Sequence, residues 1–223
     1  MREPVITIDG PAGAGKSTVA RELARRLGYR LLDTGAMYRA LAWSVQRAGL
    51  PPEDTSALRQ HLDRVTVDVH ENGIAVDGRD VTADIRSPAI ATLTSRLTTL
   101  VPVREKVTPI QRRLAAAGGA ILEGRDTGTV VWPEAELKFY LDGDLDVRAR
   151  RRFAEFKAKG VEADFEAVRA EIAARDVQDM ERALAPLRPA ADAIKVDTTH
   201  MSIEEVVEAM LAAVGRQRCS TPS

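Results

Sequence analysis

Residues 10–17 read Gly-Pro-Ala-Gly-Ala-Gly-Lys-Ser, preceded by the apolar run Val5-Ile6-Thr7-Ile8-Asp9 and followed by a helical pattern. Glycines at this spacing let consecutive backbone N–H groups turn toward one point, and the following helix adds the positive end of its dipole. G-x-x-x-x-G-K-[ST] between a strand and a helix is the phosphate-binding loop. Gly10, Pro11, Ala12, Gly13, Ala14, Gly15, Lys16, Ser17 and Thr18 are therefore the expected nucleotide-binding residues. Lys16 is expected to reach the β- and γ-phosphates, and Ser17 to hold Mg²⁺.

The rest of the composition mainly excludes. A chain of 223 residues is long enough to bury a sizeable core and suits one α/β domain carrying an insertion. Its net charge of −1 offers no basic field for nucleic acid. The lone cysteine, Cys219, rules out a disulfide framework and fits a reducing cytoplasm. No apolar run approaches the length of a membrane span, and the N-terminus enters a strand too early for a signal peptide. His61, His70 and His200 lack metal-ligand spacing. A cytoplasmic monomer acting on small molecules is expected.

Five short apolar runs, 5–9, 29–32, 119–123, 137–141 and 193–197, alternate with helical patterns and predict a doubly wound, five-stranded parallel sheet. A first helix over 16–27 puts Val19, Leu23 and Leu27 on one face, and a second covers about 36–48. A third fills about 202–214, opened by a Ser202–Glu205 capping box, with 216–223 expected as a disordered tail. One stretch breaks the rhythm. Val65, Val67 and Val69 alternate with polar residues, Asn72-Gly73 supplies a hairpin turn, and Ile74 and Val76 resume the alternation before Asp77-Gly78. This predicts a small antiparallel insert over about residues 62–100 of a single domain spanning 1–223.

Among phosphate-loop proteins, the absence of any aspartate with a glycine three positions later argues against a GTPase. A nucleotide-driven ATPase would carry acids after an apolar strand to hold Mg²⁺; Glu123 is the best candidate and keeps that alternative open. The other strand ends carry arginine and aspartate: Asp33 to Arg39, and Gly124-Arg125-Asp126-Thr127-Gly128. Arg148, Arg151 and Arg152 share one helix face, and Arg175, Asp179 and Arg182 another. Ligands of open α/β sheets collect at the carboxyl ends of strands, and clustered arginines there suit phosphoryl transfer. Taken singly, Asp33 is also a plain helix cap, Arg125 and Asp126 a turn paired to itself, and the arginines at 148–152 a solvated face.

Together these segments resemble the bacterial cytidylate kinases of the nucleoside monophosphate kinase group. The likeness rests on Ile6 to Pro11 running into the loop, Leu32 to Arg39, Gly124 to Val131, Ala185-Pro186-Leu187 and Pro189 to Asp192. It implies phosphoryl transfer from ATP to CMP or dCMP with Mg²⁺, an acceptor-binding insert, and a closing lid over 144–185. It also implies a clamp of Lys16, Arg148, Arg151 and Arg152 on the transferring group, with Arg39 and Arg125 on the acceptor phosphate. Asp126 and Arg104 match base-reading positions with Ser95 and Arg182 nearby, Arg175 and Asp179 match sugar-binding ones, and Thr34 joins the acceptor site.

Overall fold

The computed structural model describes residues 3–70, 73–158 and 160–220. They form two compact units: one from the N-terminus to Leu32 together with Ala115 onward, the other Asp33–Leu114.

The first unit is built on β1 (Val5–Asp9), β2 (Arg30–Asp33), β6 (Ala120–Glu123), β7 (Leu137–Asp142) and β8 (Ile194–Asp197), hydrogen-bonded in the order β2-β6-β1-β7-β8. β6 and β7 flank β1 in parallel, and β8 runs parallel to β7. Every residue of β1 and β6 is buried, so both read as uninterrupted apolar runs rather than alternations. α1 (Lys16–Leu27) turns Val19, Ala20 and Leu23 into the same core as Val206, Val207 and Met210 of α8 (Ile203–Ser220). The capping box expected at Ser202 is present: its N–H donates to the Glu205 carboxylate and its hydroxyl accepts from the Glu205 N–H. The last helix nevertheless passes Gly215 and runs to Ser220, correcting the expected coil over 216–220, because one glycine without a left-handed turn need not end a helix. Residues 221–223 of the expected tail and the Cys219 side chain lie outside the described positions.

Two helices fill the stretch read as a lid, α6 (Leu145–Ala158) and α7 (Phe165–Glu181). They share a small core of Ala149, Val168 and Ile172, with Phe153 set edge-on to Phe165 at 6.0 Å. Ala12 of the phosphate loop packs against this core.

The second unit comprises α2 (Thr34–Arg47), α3 (Ser56–Arg64), β3 (Val67–His70), β4 (Gly73–Val76), β5 (Arg79–Asp80), α4 (Pro88–Leu97) and most of α5 (Val101–Ala115). β3, β4 and β5 make the expected antiparallel sheet, with Val67 opposite Val76 and Val69 opposite Ile74. Asn72 of the expected hairpin turn lies outside the described residues. Val65 belongs to the C-terminal cap of α3 and not to the strand. The unit has its own core, including Met37, Leu41, Leu58, Ile85 and Val103, none of them more than 1% exposed.

Candidate active site

The phosphate loop links β1 to α1. A Cβ on Gly10 would stand 1.9 Å from the Leu141 carbonyl oxygen, so only glycine lets the loop leave the sheet beside β7. Lys16 is buried and its Nζ donates to the Pro11 carbonyl at 2.6 Å. Burial first, and next the charge of Arg125, pull the Lys16 ammonium down to about 7. Ser17 Oγ donates to Glu123 Oε2 at 3.0 Å, so the hydroxyl at the helix start meets an acid at the end of β6. Thr18 is exposed on the next turn.

The segment after β6 is more than a turn. Thr127–Val131 forms one π-helical turn, in which Val131 N–H and Trp132 N–H reach back five residues to the Asp126 and Thr127 carbonyls. Asp9 organises it. One carboxylate oxygen accepts from the Thr127 N–H and hydroxyl, the other from the Gly128 N–H at 2.8 Å. Burial pushes the Asp9 carboxyl up to about 6 in spite of those bonds.

Arg125 and Asp126 are not paired with each other. Arg125 Nε donates to Asp179 Oδ2 at 2.9 Å, and Arg182 Nη2 donates to Asp126 Oδ1 at 3.2 Å. Asp179, 5% exposed, also lies 3.7 Å from Arg182 and 3.9 Å from Arg175. Arg182 Nε is held by the Ala185 carbonyl, and Ala185 takes a left-handed φ of 50° to offer it. The first unit thus gathers Arg125, Asp126, Arg175, Asp179 and Arg182 into one network of alternating charge, and the charges of Arg125 and Asp179 also act on Lys16.

The arginines of α6 separate. Arg148 is buried and donates to the Gly143 and Ala12 carbonyls and to Asp176 Oδ2. Arg151 donates to the Thr198 hydroxyl and to the Thr198 and Met201 carbonyls, bracing the loop before α8. Arg152 is turned outward, paired with Glu155 and stacked over Phe156.

In the second unit, Asp33 caps α2 through the Ala36 N–H and also holds Arg39 Nη2 at 2.9 Å. Arg39 Nε is buried with no hydrogen-bond partner. Arg104, 8% exposed, lies over the Tyr38 ring at 5.8 Å and donates to the Thr98 carbonyl. Thr34 is buried at the start of α2, and Ser95 sits half-buried on α4.

Of three acids around the loop, the sequence marks Glu123 only as a Mg²⁺ holder under the ATPase alternative and leaves out Asp9 and Asp176. Asp9 and Glu123 had a signal, each ending an apolar strand beside the loop or its partner segment. Asp176 had none, standing as one more acid in a charged helix.

A family model described as "Cytidylate kinase" matches residues 6–216. A cytidylate kinase from Symbiobacterium thermophilum is 48% identical over 215 residues, 94% of this chain and 95% of its own. One from Geobacter sulfurreducens is 46% identical over 222 residues, 98% and 95% of the two chains. Among solved structures, an uncharacterized protein from Eubacterium ventriosum superposes with a TM-score of 0.53 at 14% identity, covering 96% of this chain and 99% of that one, a likeness of fold alone.

Proposed function

This chain belongs to the cytidylate kinase family, and from that premise we propose that it transfers the γ-phosphoryl group of ATP to CMP or dCMP, yielding ADP and CDP or dCDP. The observation that carries this reading is the Asp126–Arg182 pair, a buried carboxylate beside a guanidinium at the end of β6. Cytosine presents an amino donor beside two acceptors, so a carboxylate reads its N4 and an arginine its N3 or O2. Uracil would turn an acceptor toward Asp126 and leave a buried group unpaired, which costs about 1–3 kcal/mol.

The acceptor is itself a phosphate oxygen, anionic at neutral pH, so no base has to remove a proton. The protein's work is alignment and charge neutralisation. Lys16 answers charge on the β- and γ-phosphates. By their places in the family's motifs, Arg39 and Arg125 are each assigned to the acceptor phosphate, and Arg175 and Asp179 to the sugar. By the same motifs Ser95 and Arg104 are assigned to the base and Thr34 to the acceptor. Arg151 reaches the transferring group only by giving up the Thr198 loop, and Arg152 only by turning in from Glu155, so both belong to a further lid rearrangement. The hydroxyl and carboxylate oxygens of Ser17 and Glu123 suit Mg²⁺, which would neutralise charge on the bridging phosphates.

ADP release measured with CMP, dCMP, UMP, AMP and no acceptor tests the reading. Turnover should require CMP or dCMP. Preference for AMP or UMP, or equal rates without an acceptor, would sink it.

A further inference from the structure

The backbone of Ala12 is held on both of its peptides, through its N–H on the Pro11 side and through its carbonyl on the Gly13 side. The Ala12 N–H donates to Asp176 Oδ1 at 3.2 Å. The Ala12 carbonyl accepts from Arg148 Nη1 at 2.9 Å, and that same nitrogen donates to Asp176 Oδ2 at 2.6 Å. Gly13 itself lies under α6: a Cβ there would stand 3.0 Å from the Arg148 carbonyl oxygen and 3.1 Å from its Cβ, at a φ of +75° that favours glycine. Asp176 is 7% exposed, and its two oxygens answer one loop N–H and one guanidinium, which in turn is fixed to Gly143 by its Nε.

In a trans peptide the carbonyl and the N–H point in opposite directions. No cis bond occurs among the described residues. Holding the Ala12 carbonyl toward Arg148 therefore turns the Gly13 N–H away from α6. We infer that Asp176 is a positioning residue for the donor nucleotide: by orienting Arg148 it sets the Ala12–Gly13 peptide plane, so that Gly13 and not Ala12 offers its N–H to a phosphate. A freely rotating peptide in a glycine-rich loop would spend part of its time presenting a carbonyl oxygen to the triphosphate, which repels it. The carboxylate of Asp176 removes that state, and it keeps Arg148 from leaving the loop. This assignment rests on the reading that the loop receives ATP, and it is independent of which acceptor is phosphorylated.

The Asp176→Asn variant is nearly isosteric. Its amide oxygen can still accept from Ala12, while the amide nitrogen facing Arg148 sets donor against donor. We expect the Kd and KM for ATP to rise tenfold or more, with the KM for CMP within threefold of wild type and the thermal midpoint little changed. A role only in holding α7 in place would lower the midpoint and kcat and leave the KM values alone. An ATP Kd within twofold of wild type, or equal rises in both KM values, would overturn the assignment. A second measurement needs no variant. In ¹⁵N-labelled wild-type protein, a non-hydrolysable ATP analogue with Mg²⁺ should shift the Gly13 amide proton and leave that of Ala12 nearly unmoved; the reverse pattern also overturns the assignment. If wild type binds the analogue with the Gly13 signature yet fails to phosphorylate CMP, the acceptor reading falls and the role of Asp176 stands.

Discussion

At the scale of single residues, the roles proposed for Lys16 and Asp126 can be measured separately. Lys16 is buried beside Arg125 and holds its proton only to about pH 7. Triphosphate oxygens against the same nitrogen favour the charged form and raise that value. Binding of ATP at pH 8 should therefore take up roughly one proton, while at pH 6, where the lysine is already charged, it should take up almost none. Calorimetric titrations in two buffers of different ionisation enthalpy read this directly. Heats at pH 8 that do not depend on the buffer would contradict the assignment, and Lys16→Met should abolish the uptake. Asp126→Asn keeps the size of the side chain but loses its charge, and its amide can present a donor to uracil. kcat/KM for CMP should fall by about 1–3 kcal/mol equivalent, with UMP losing less or gaining. If Asp126 only braced the turn, CMP and UMP would fall by the same factor, and steady-state kinetics on both acceptors decides between the two.

At the scale of elements, the site depends on one π-helical turn and one helix. Asp9 joins the end of β1 to the turn that carries Arg125 and Asp126, and burying its carboxylate there carries an energetic cost. Its carboxyl is raised from the ordinary aspartate range to about 6 by burial, so between pH 4 and 6 the folded protein binds more protons at this site than the unfolded chain. Stability then falls as pH rises through that window, by a total on the order of 3 kcal/mol from this group. Asp9→Asn does not titrate. The difference in unfolding free energy, wild type minus variant, should thus decrease between pH 4 and 6 and level off above it, whatever constant cost the amide adds. Urea denaturation at four pH values measures it, and a flat difference would refute the role of burial. The two ends of this junction were unequally legible in the sequence. The strand and the Gly-Arg-Asp segment could be read, but the π turn could not, because its five-residue bonds are selected by Asp9, which lies more than a hundred positions away. α5 was hidden for another reason. Pro109 argues against a helix, yet Val103 and Val107 are fully buried, and packing of that face outweighs the broken hydrogen bond. α6 and α7 are marked in the sequence by their arginine faces, while their shared core of Ala149, Val168 and Ile172 with Phe153, Phe156 and Phe165 depends on two helices meeting.

At the scale of the molecule, the sequence announced the loop, the five strands and the small antiparallel sheet, because each is a local pattern with a fixed period. It could not announce that Arg148 would serve the loop's own peptide, or that Asp179 would take three arginines, since both depend on which helix faces meet. Nor did it reveal that the small sheet belongs to a unit beginning at Asp33, with a core separate from that of the large sheet. Separate cores imply separate cooperative openings. Leu58 on α3 is fully buried in the second core, and Leu58→Ala should destabilise its surroundings by about 2–5 kcal/mol through lost burial and the cavity left behind. Amide hydrogen exchange should then quicken across α2, α3, β3 and β4. Protection in β1, β6 and β7, whose residues Ile6, Ile121 and Phe139 pack in the first core, should stay within a few-fold of wild type. The converse variant, Met210→Ala on α8, should loosen those three strands and spare the second unit. Exchange that quickens uniformly through the chain in either variant would mean that the two cores unfold as one, and that the boundary at Asp33 has no energetic counterpart.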